Sequence, residues 1–243
     1  MSIHSQKGYW EKRILDWEKT AFAESAPEPR SLVERIATRF RGTVRHRPRL
    51  AMVVLEAIRP ASVLELGCGS GRFSRAIADL PWVERVTGVD ISEEAIEFAR
   101  QQAGARTAQQ TYLASSVAVL DFATLPPFDF VVGLGLTPYL LDNEFDDLLR
   151  AMNGRGFFLD FHPKGFTFDN VAHGIYRAIA GHPFYHRYSI AEFRMLLSRF
   201  GYSDVIFGTS ENVWFACHAG ADHKAKTSSV KNALGGIPRL QLF

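Results

Sequence analysis

The stretch Val63-Leu64-Glu65-Leu66-Gly67-Cys68-Gly69-Ser70-Gly71-Arg72-Phe73-Ser74 restricts the fold more than any other part of the chain. A short apolar run carrying one acid leads into a loop with glycine at three alternate positions, and that loop runs straight into a helix. Glycine has no Cβ, so such a loop takes backbone angles closed to other residues and lets a ligand lie against its amides. Strand, glycine loop and helix in direct succession form a nucleotide-type binding turn of an α/β sheet.

Details of the turn narrow the ligand. A dinucleotide fingerprint needs G-x-G-x-x-G, its helix N-terminus facing a pyrophosphate. Here the spacing is G-x-G-x-G, and Glu65 stands two residues before the first glycine. A carboxylate there repels a pyrophosphate and suits a ligand with a positive end, which counts against a nicotinamide dehydrogenase. Nineteen residues after Gly71, the run Arg85-Val86-Thr87-Gly88-Val89-Asp90 closes on a second acid. A carboxylate at the tip of the second strand is where the ribose hydroxyls of an adenosine ligand are held.

In these residues the chain resembles the class I S-adenosylmethionine-dependent methyltransferases, whose first motif reads acid-x-Gly-x-Gly-x-Gly and matches Glu65, Gly67, Gly69 and Gly71. The resemblance covers about residues 60 to 218. It implies S-adenosyl-L-methionine as cofactor, lying against the turn with Cys68 in its wall and Asp90 on the ribose. It further implies Ile91 on the adenine, Ser116 and Val117 at the adenine edge, and Leu134 at the exit of the fourth strand. Many members carry an acid after the third strand. Here Ser116 and Val117 stand at that position, with Asp121 as a rival five residues beyond Ser116.

The resemblance implies a doubly wound, seven-stranded, mostly parallel α/β sheet of Rossmann-like form, with N-terminal helices and a helical cap after strand five. Residues 1–60 are then a helical lid, 61–218 the cofactor-binding domain, 163–188 the cap and 219–243 a flexible tail. A chain of 243 residues with 47% hydrophobic content suits one domain with a modest addition. Net charge is +2, so nothing pulls the whole molecule towards nucleic acid. Two cysteines, no apolar leader behind the first charges and no long apolar run predict a soluble, cytoplasmic protein.

Along the chain, Trp10, Ile14, Trp17 and Phe22 are spaced close to a helical stripe, read either as packing or as a lid with Tyr9 and Trp10 in its wall. Seven arginines against one acid, Glu34, occupy residues 30 to 49. The favoured reading is a solvated face that lends an arginine to the cofactor's carboxylate, with Arg45 and Arg49 nearest the core. Residues 49 to 58 form an apolar helix. Ser92 caps the helix after strand two, and Ser189 with Glu192 forms a capping box. Residues 170 to 180 read as the helical middle of the cap.

Displacement at a sulfonium needs an acceptor held close and aligned in a dry pocket, and a base only where the acceptor must lose a proton. His162 at the tip of strand five is the leading candidate base, with His186 and Tyr139 behind it. His182 and His186 have Pro183 between them and no third ligand, so no metal site is expected. Leu136-Thr-Pro-Tyr139 lacks the amide or carboxylate that holds a DNA base amine, which disfavours DNA amino-methylation. The leading expectation is a small-molecule methyltransferase, oxygen preferred over nitrogen or carbon. The alternatives are an RNA or protein methyltransferase and a non-catalytic S-adenosylmethionine-binding protein.

Overall fold

The computed structural model describes residues 3–11, 14–15, 32–106, 108–165, 174 and 185–243. Its strands are β1 (Ser62–Leu66), β2 (Arg85–Asp90), β3 (Gln109–Ala114), β4 (Phe130–Gly133), β5 (Gly156–Phe161), β6 (Ile206–Ser210), β7 (Val213–His218) and β8 (Gln241–Leu242). They form one sheet in the order β3-β2-β1-β4-β5-β7-β6-β8. The pairs from β3 to β5 are parallel, and those made by β7, β6 and β8 are antiparallel. β1, β4 and β5 are buried along their whole length, as strands covered on both faces must be.

Side chains alternate across the sheet, and this sorts the core into two layers. On one face lie α2 (Leu32–Ile58), α3 (Arg72–Ala78) and α7 (Thr227–Gly235). They bury Leu50, Val54, Ile58, Ile77 and Leu234 against Val63, Phe130, Val132 and Phe158. α4 (Glu93–Gln102) packs Ile96 and Ala99 on Tyr112. The opposite face takes α5 (Asp142–Met152) and α6 (Ile190–Arg199), whose Phe145, Leu148, Phe193 and Leu197 meet Leu64, Val131 and Phe157. Under the tip of β5, Phe193 stacks on Phe161 with centroids 4.7 Å apart and on Phe145 at 5.5 Å. Burying one such ring is worth about 1.5–3 kcal/mol, so this stack holds the strand end that carries Asp160.

Two helix starts take the form read from sequence. Ser92 Oγ accepts from Ala95 N at 3.1 Å, and Ser189 and Glu192 close a reciprocal capping box. Three expectations are corrected. The sheet has eight strands rather than seven, because β8 pairs with β6 through Gly208↔Leu242 and Thr209↔Gln241. Residues 219–243 fold back rather than trail: Val230 and Leu234 enter the core, Lys226 Nζ donates to the Ile58 carbonyl, and Phe243 stacks on Trp214 at 5.5 Å. The apolar segment 49–58 is the end of a single 27-residue helix that runs through Pro48. A proline there withholds one N–H from the carbonyl four residues earlier, and the buried stripe after it offsets that loss. Most of the cap, residues 166–173 and 175–184, and Trp17 and Phe22 of the N-terminal stripe lie outside the described residues. Among the described residues no helix is long and apolar enough to cross a membrane.

Candidate active site

The glycine turn is held by backbone geometry that only its sequence allows. Gly67, Gly69 and Gly71 have φ of 74°, 51° and 70°, the left-handed region that other residues seldom enter. Gly67 N and Cys68 N both donate to the Val89 carbonyl, at 2.8 and 3.0 Å, which ties the loop to β2. The flanking glycines do different work. A Cβ on Gly71 would sit 2.8 Å from the Tyr112 ring, so that residue serves close packing; one on Gly67 would meet nothing nearer than Leu136 at 3.7 Å. Cys68 is buried against the same packing layer as Tyr112 and Ala99.

Sheet register puts the strand-tip acids on one side. Glu65 pairs with Gly88 on β2 and with Val132 on β4, and Val132 pairs with Phe158 on β5. In-register residues of parallel strands point the same way, and so does each residue two further along. Glu65, Asp90 and Asp160 therefore share the face covered by α2 and α3. Glu65 is 2% exposed and accepts from the Ser74 hydroxyl of α3. Asp90 accepts from Gly69 N at 2.8 Å and from Ser92 N at 2.9 Å. Burial raises its carboxyl above the ordinary range, and those two backbone donors oppose that shift. A carboxylate offers about four lone-pair directions, and with the Ile91 amide also drawing on it Asp90 keeps capacity for a further donor such as a hydroxyl.

Around this centre, Ile91 is half-buried and Val117 buried, while Leu134 packs against the layer formed by α2 and α3. Ser116 caps a short 3-10 turn, its Oγ accepting from Ala118 N. Asp121, the rival acid, is exposed and spends Oδ1 on Ala123 N at 3.0 Å, capping the next turn of its own chain.

The exits of β4 and β5 carry a constellation that the sequence reading missed. Arg45 and Arg49 are exposed, and it is Arg47, between them, that faces the sheet. Arg47 Nε lies 2.8 Å from Asp160 Oδ2, both side chains being largely buried. Asp160 Oδ1 accepts from Gly135 N at 2.5 Å, and Arg47 Nη2 lies 3.1 Å from His162 Nε2. Burial raises the Asp160 carboxyl, while the Arg47 guanidinium and the Gly135 amide draw it down. Gly135 has φ of 74°, which favours glycine, and a Cβ there would come within 2.8 Å of Arg47 Nη1, so a larger residue would have to displace the guanidinium. Spacing alone could have found Arg47: it stands three residues before Leu50, in phase with Leu50, Val54 and Ile58 on the buried stripe.

Aromatic rings continue this wall. Tyr185 meets His162 edge-on at 5.1 Å and Tyr139 at 5.4 Å, and Tyr139 meets Trp10 at 5.5 Å. Trp10 belongs to α1 (Ile3–Glu11), whose Glu11 accepts from Glu93 N at 3.2 Å and Glu94 N at 2.9 Å, in the first turn of α4. Carboxylates are favoured at a helix N-terminus, so Glu11 docks α1 beside the Asp90 tip. His186 lies against Tyr188 with centroids 4.2 Å apart and the rings tilted by 33°, and its backbone N–H donates to the Pro138 carbonyl at 2.6 Å. Tyr188 N donates to the His162 carbonyl at 3.0 Å, so the returning end of the cap is laced to the exit of β5.

Comparison with known proteins agrees with this geometry. Residues 63–154 match the family model described as a methyltransferase domain. A stretch of 42 residues is 43% identical to the mitochondrial ubiquinone biosynthesis O-methyltransferase of Saccharomyces cerevisiae, and it spans 17% of this chain and 14% of that protein. The magnesium protoporphyrin IX methyltransferase of Synechocystis PCC 6803, solved with SAH bound, superposes with a TM-score of 0.61 at 20% identity, over 87% of this chain and 97% of that one. A cyclopropane synthase of Mycobacterium tuberculosis gives 0.53 at 14% identity, over 75% and 67%. The solved structures, each under 25% identical, share the fold of this chain. The Synechocystis protein has also been solved with SAM bound, with a TM-score of 0.59 at 19% identity over 87% of this chain and 94% of that one.

Proposed function

We propose that the protein is a small-molecule methyltransferase whose acceptor presents an oxygen. S-adenosylmethionine supplies an electrophilic methyl group on a sulfonium. Glu65 and the open side of Gly67 suit its charged amino-acid end, Asp90 its ribose, and Ile91, Ser116 and Val117 its adenine. Cys68, Gly69, Gly71 and Leu134 complete that cradle.

One observation carries the acceptor half of the reading: Trp10, Tyr139, Tyr185 and His162 form a chain of ring contacts around the exits of β4 and β5. Ring edges at such spacing favour a small, largely apolar acceptor in a dry pocket over an extended polymer. Tyr139, His162 and His186 are the side chains available to orient it. The yeast relative is an O-methyltransferase, which supports oxygen as the atom modified.

Calorimetry with S-adenosylhomocysteine, followed by transfer of labelled methyl groups to a panel of carboxylic acids, phenols and amines, tests this. Binding together with turnover on an oxygen acceptor is the expected result. No heat of binding at millimolar ligand would sink the cofactor assignment, and turnover on RNA or protein alone would sink the acceptor.

A further inference from the structure

We infer that Arg47 is a positioning residue that holds His162 as a neutral imidazole protonated on Nδ1, so that the enzyme methylates an oxygen already ionised on arrival. The inference rests on the methyl-transfer reading given above and narrows its acceptor to an oxygen acid.

A guanidinium has five N–H donors and no acceptor, and it keeps its charge at any ordinary pH. With Arg47 Nη2 at 3.1 Å, His162 Nε2 has to accept. The bond made by one imidazole nitrogen decides the protonation of the other, so the ring proton resides on Nδ1. Protonation at Nε2 would have to displace the Arg47 donor and set two cations side by side, and Nδ1 already bears hydrogen.

Arg47 is itself held. Asp160 Oδ2 at 2.8 Å balances its charge, Asp160 is anchored by the Gly135 amide at 2.5 Å, and Gly135 leaves room that a Cβ would fill. Among the described residues, the groups facing His162 include Arg47 from α2, Asp160 from the end of β5 through Arg47, and Tyr185 from the end of the cap. With no base at His162, a lone pair of an oxyanion forms the new O–C bond as the S–C bond breaks. Sulfur keeps that electron pair and becomes a neutral thioether, and no proton is left to remove.

Protein labelled with nitrogen-15 histidine reports the tautomer directly in long-range proton–nitrogen spectra, with His162 assigned by the signals lost in His162→Gln. The Nδ1–H form is expected between about pH 6 and pH 8, with and without S-adenosylhomocysteine. Arg47→Met should convert the ring to the Nε2–H form or let it take up a proton, whereas Arg47→Lys, which keeps a donor, should restore the native pattern. An Nε2–H or protonated His162 in the native protein overturns the inference, as does an Arg47→Met spectrum identical to native. A tautomer change on adding S-adenosylhomocysteine also overturns it, since Arg47 would then serve the cofactor. If Arg47→Met does not fold, the native spectrum decides alone. In turnover, kcat/KM on a carboxylic acid should be flat over the same pH range; a rising limb that disappears in His162→Gln would restore the base. Absent turnover with an intact Nδ1–H pattern would count against the acceptor assignment rather than against Arg47.

Discussion

The two halves of the cleft are assembled in opposite ways. On the β1–β2 side, the contact that closes the cradle, Gly69 N to Asp90 Oδ2, joins residues 21 apart in the chain. At the exits of β4 and β5, Arg47 reaches His162 across 115 residues. The first half is one strand–turn–helix unit and its neighbour, and its chemistry is local. The second takes one side chain from α2, two from β5 and its exit, a glycine from the β4 loop and rings from α1 and the cap. A ligand common to a whole class of enzymes can be met by a portable motif. An acceptor particular to one protein is met by groups that only docking brings together.

If this division is right, damage to the distant half should cost fold or acceptor and spare the cofactor. Asp160→Ala has the largest expected effect. It leaves the Arg47 charge buried without its counter-ion and should lower unfolding free energy by about 3–5 kcal/mol in urea titration. Replacing the pair together, as Arg47→Met with Asp160→Leu, should recover most of that loss. Recovery in the double variant is the sign of a burial penalty rather than of general disruption.

Asp90→Asn tests the local half. It removes the charge from an acceptor of several hydrogen bonds, so about 1.5–3 kcal/mol is at stake. The dissociation constant for S-adenosylhomocysteine should rise about 10- to 100-fold by calorimetry. Unchanged affinity would mean that the tip of β2 does not hold the ligand.

Trp10→Ala should act more weakly and on the other partner. An edge-on aromatic pair is worth about 0.5–1.5 kcal/mol, which predicts an acceptor KM raised about 2- to 10-fold with cofactor affinity unaltered. An equal loss in both constants would erase the separation between the halves.

The smallest effect lies outside the cleft. His218 is buried between Phe157 and Tyr202, its Nδ1 accepts from Gly220 N at 3.0 Å, and burial lowers its pKa below the ordinary 6.5. The unfolded chain therefore binds the proton more readily than the native one. Stability should be full above 6.5 and should fall as pH drops from there through the lowered native value. His218→Gln should flatten that part of the melting-temperature profile relative to the native protein, and identical profiles would remove His218 as the cause.

The contrast between the halves is also the contrast between what can and cannot be read without coordinates. The turn at Gly67–Gly71, the acid at Asp90, the caps at Ser92 and Ser189 and the buried strands are each specified within a few neighbouring residues, because dihedral preference, capping and strand periodicity act at short range. Arg45, Arg47 and Arg49 look equivalent as a charge run; helical phase sets Arg47 on the buried stripe, but only the packed sheet supplies Asp160 and His162 as its partners. The C-terminal segment reads as a polar tail because Val230 and Leu234 stand among lysines and other polar residues, with Ile237, Leu240, Leu242 and Phe243 scattered beyond a pair of glycines. A stripe that sparse becomes buried only once α2 offers a surface for it.

By itself, then, the sequence determined a doubly wound α/β sheet and a glycine turn beside an acid at the tip of β2, since both rest on interactions among residues close in the chain. The tertiary structure alone decided the eighth strand, the docking of α1 through Glu11, and the Arg47–Asp160–His162 arrangement. Those depend on which buried charge finds which partner after the layers pack, and no short-range preference encodes that choice.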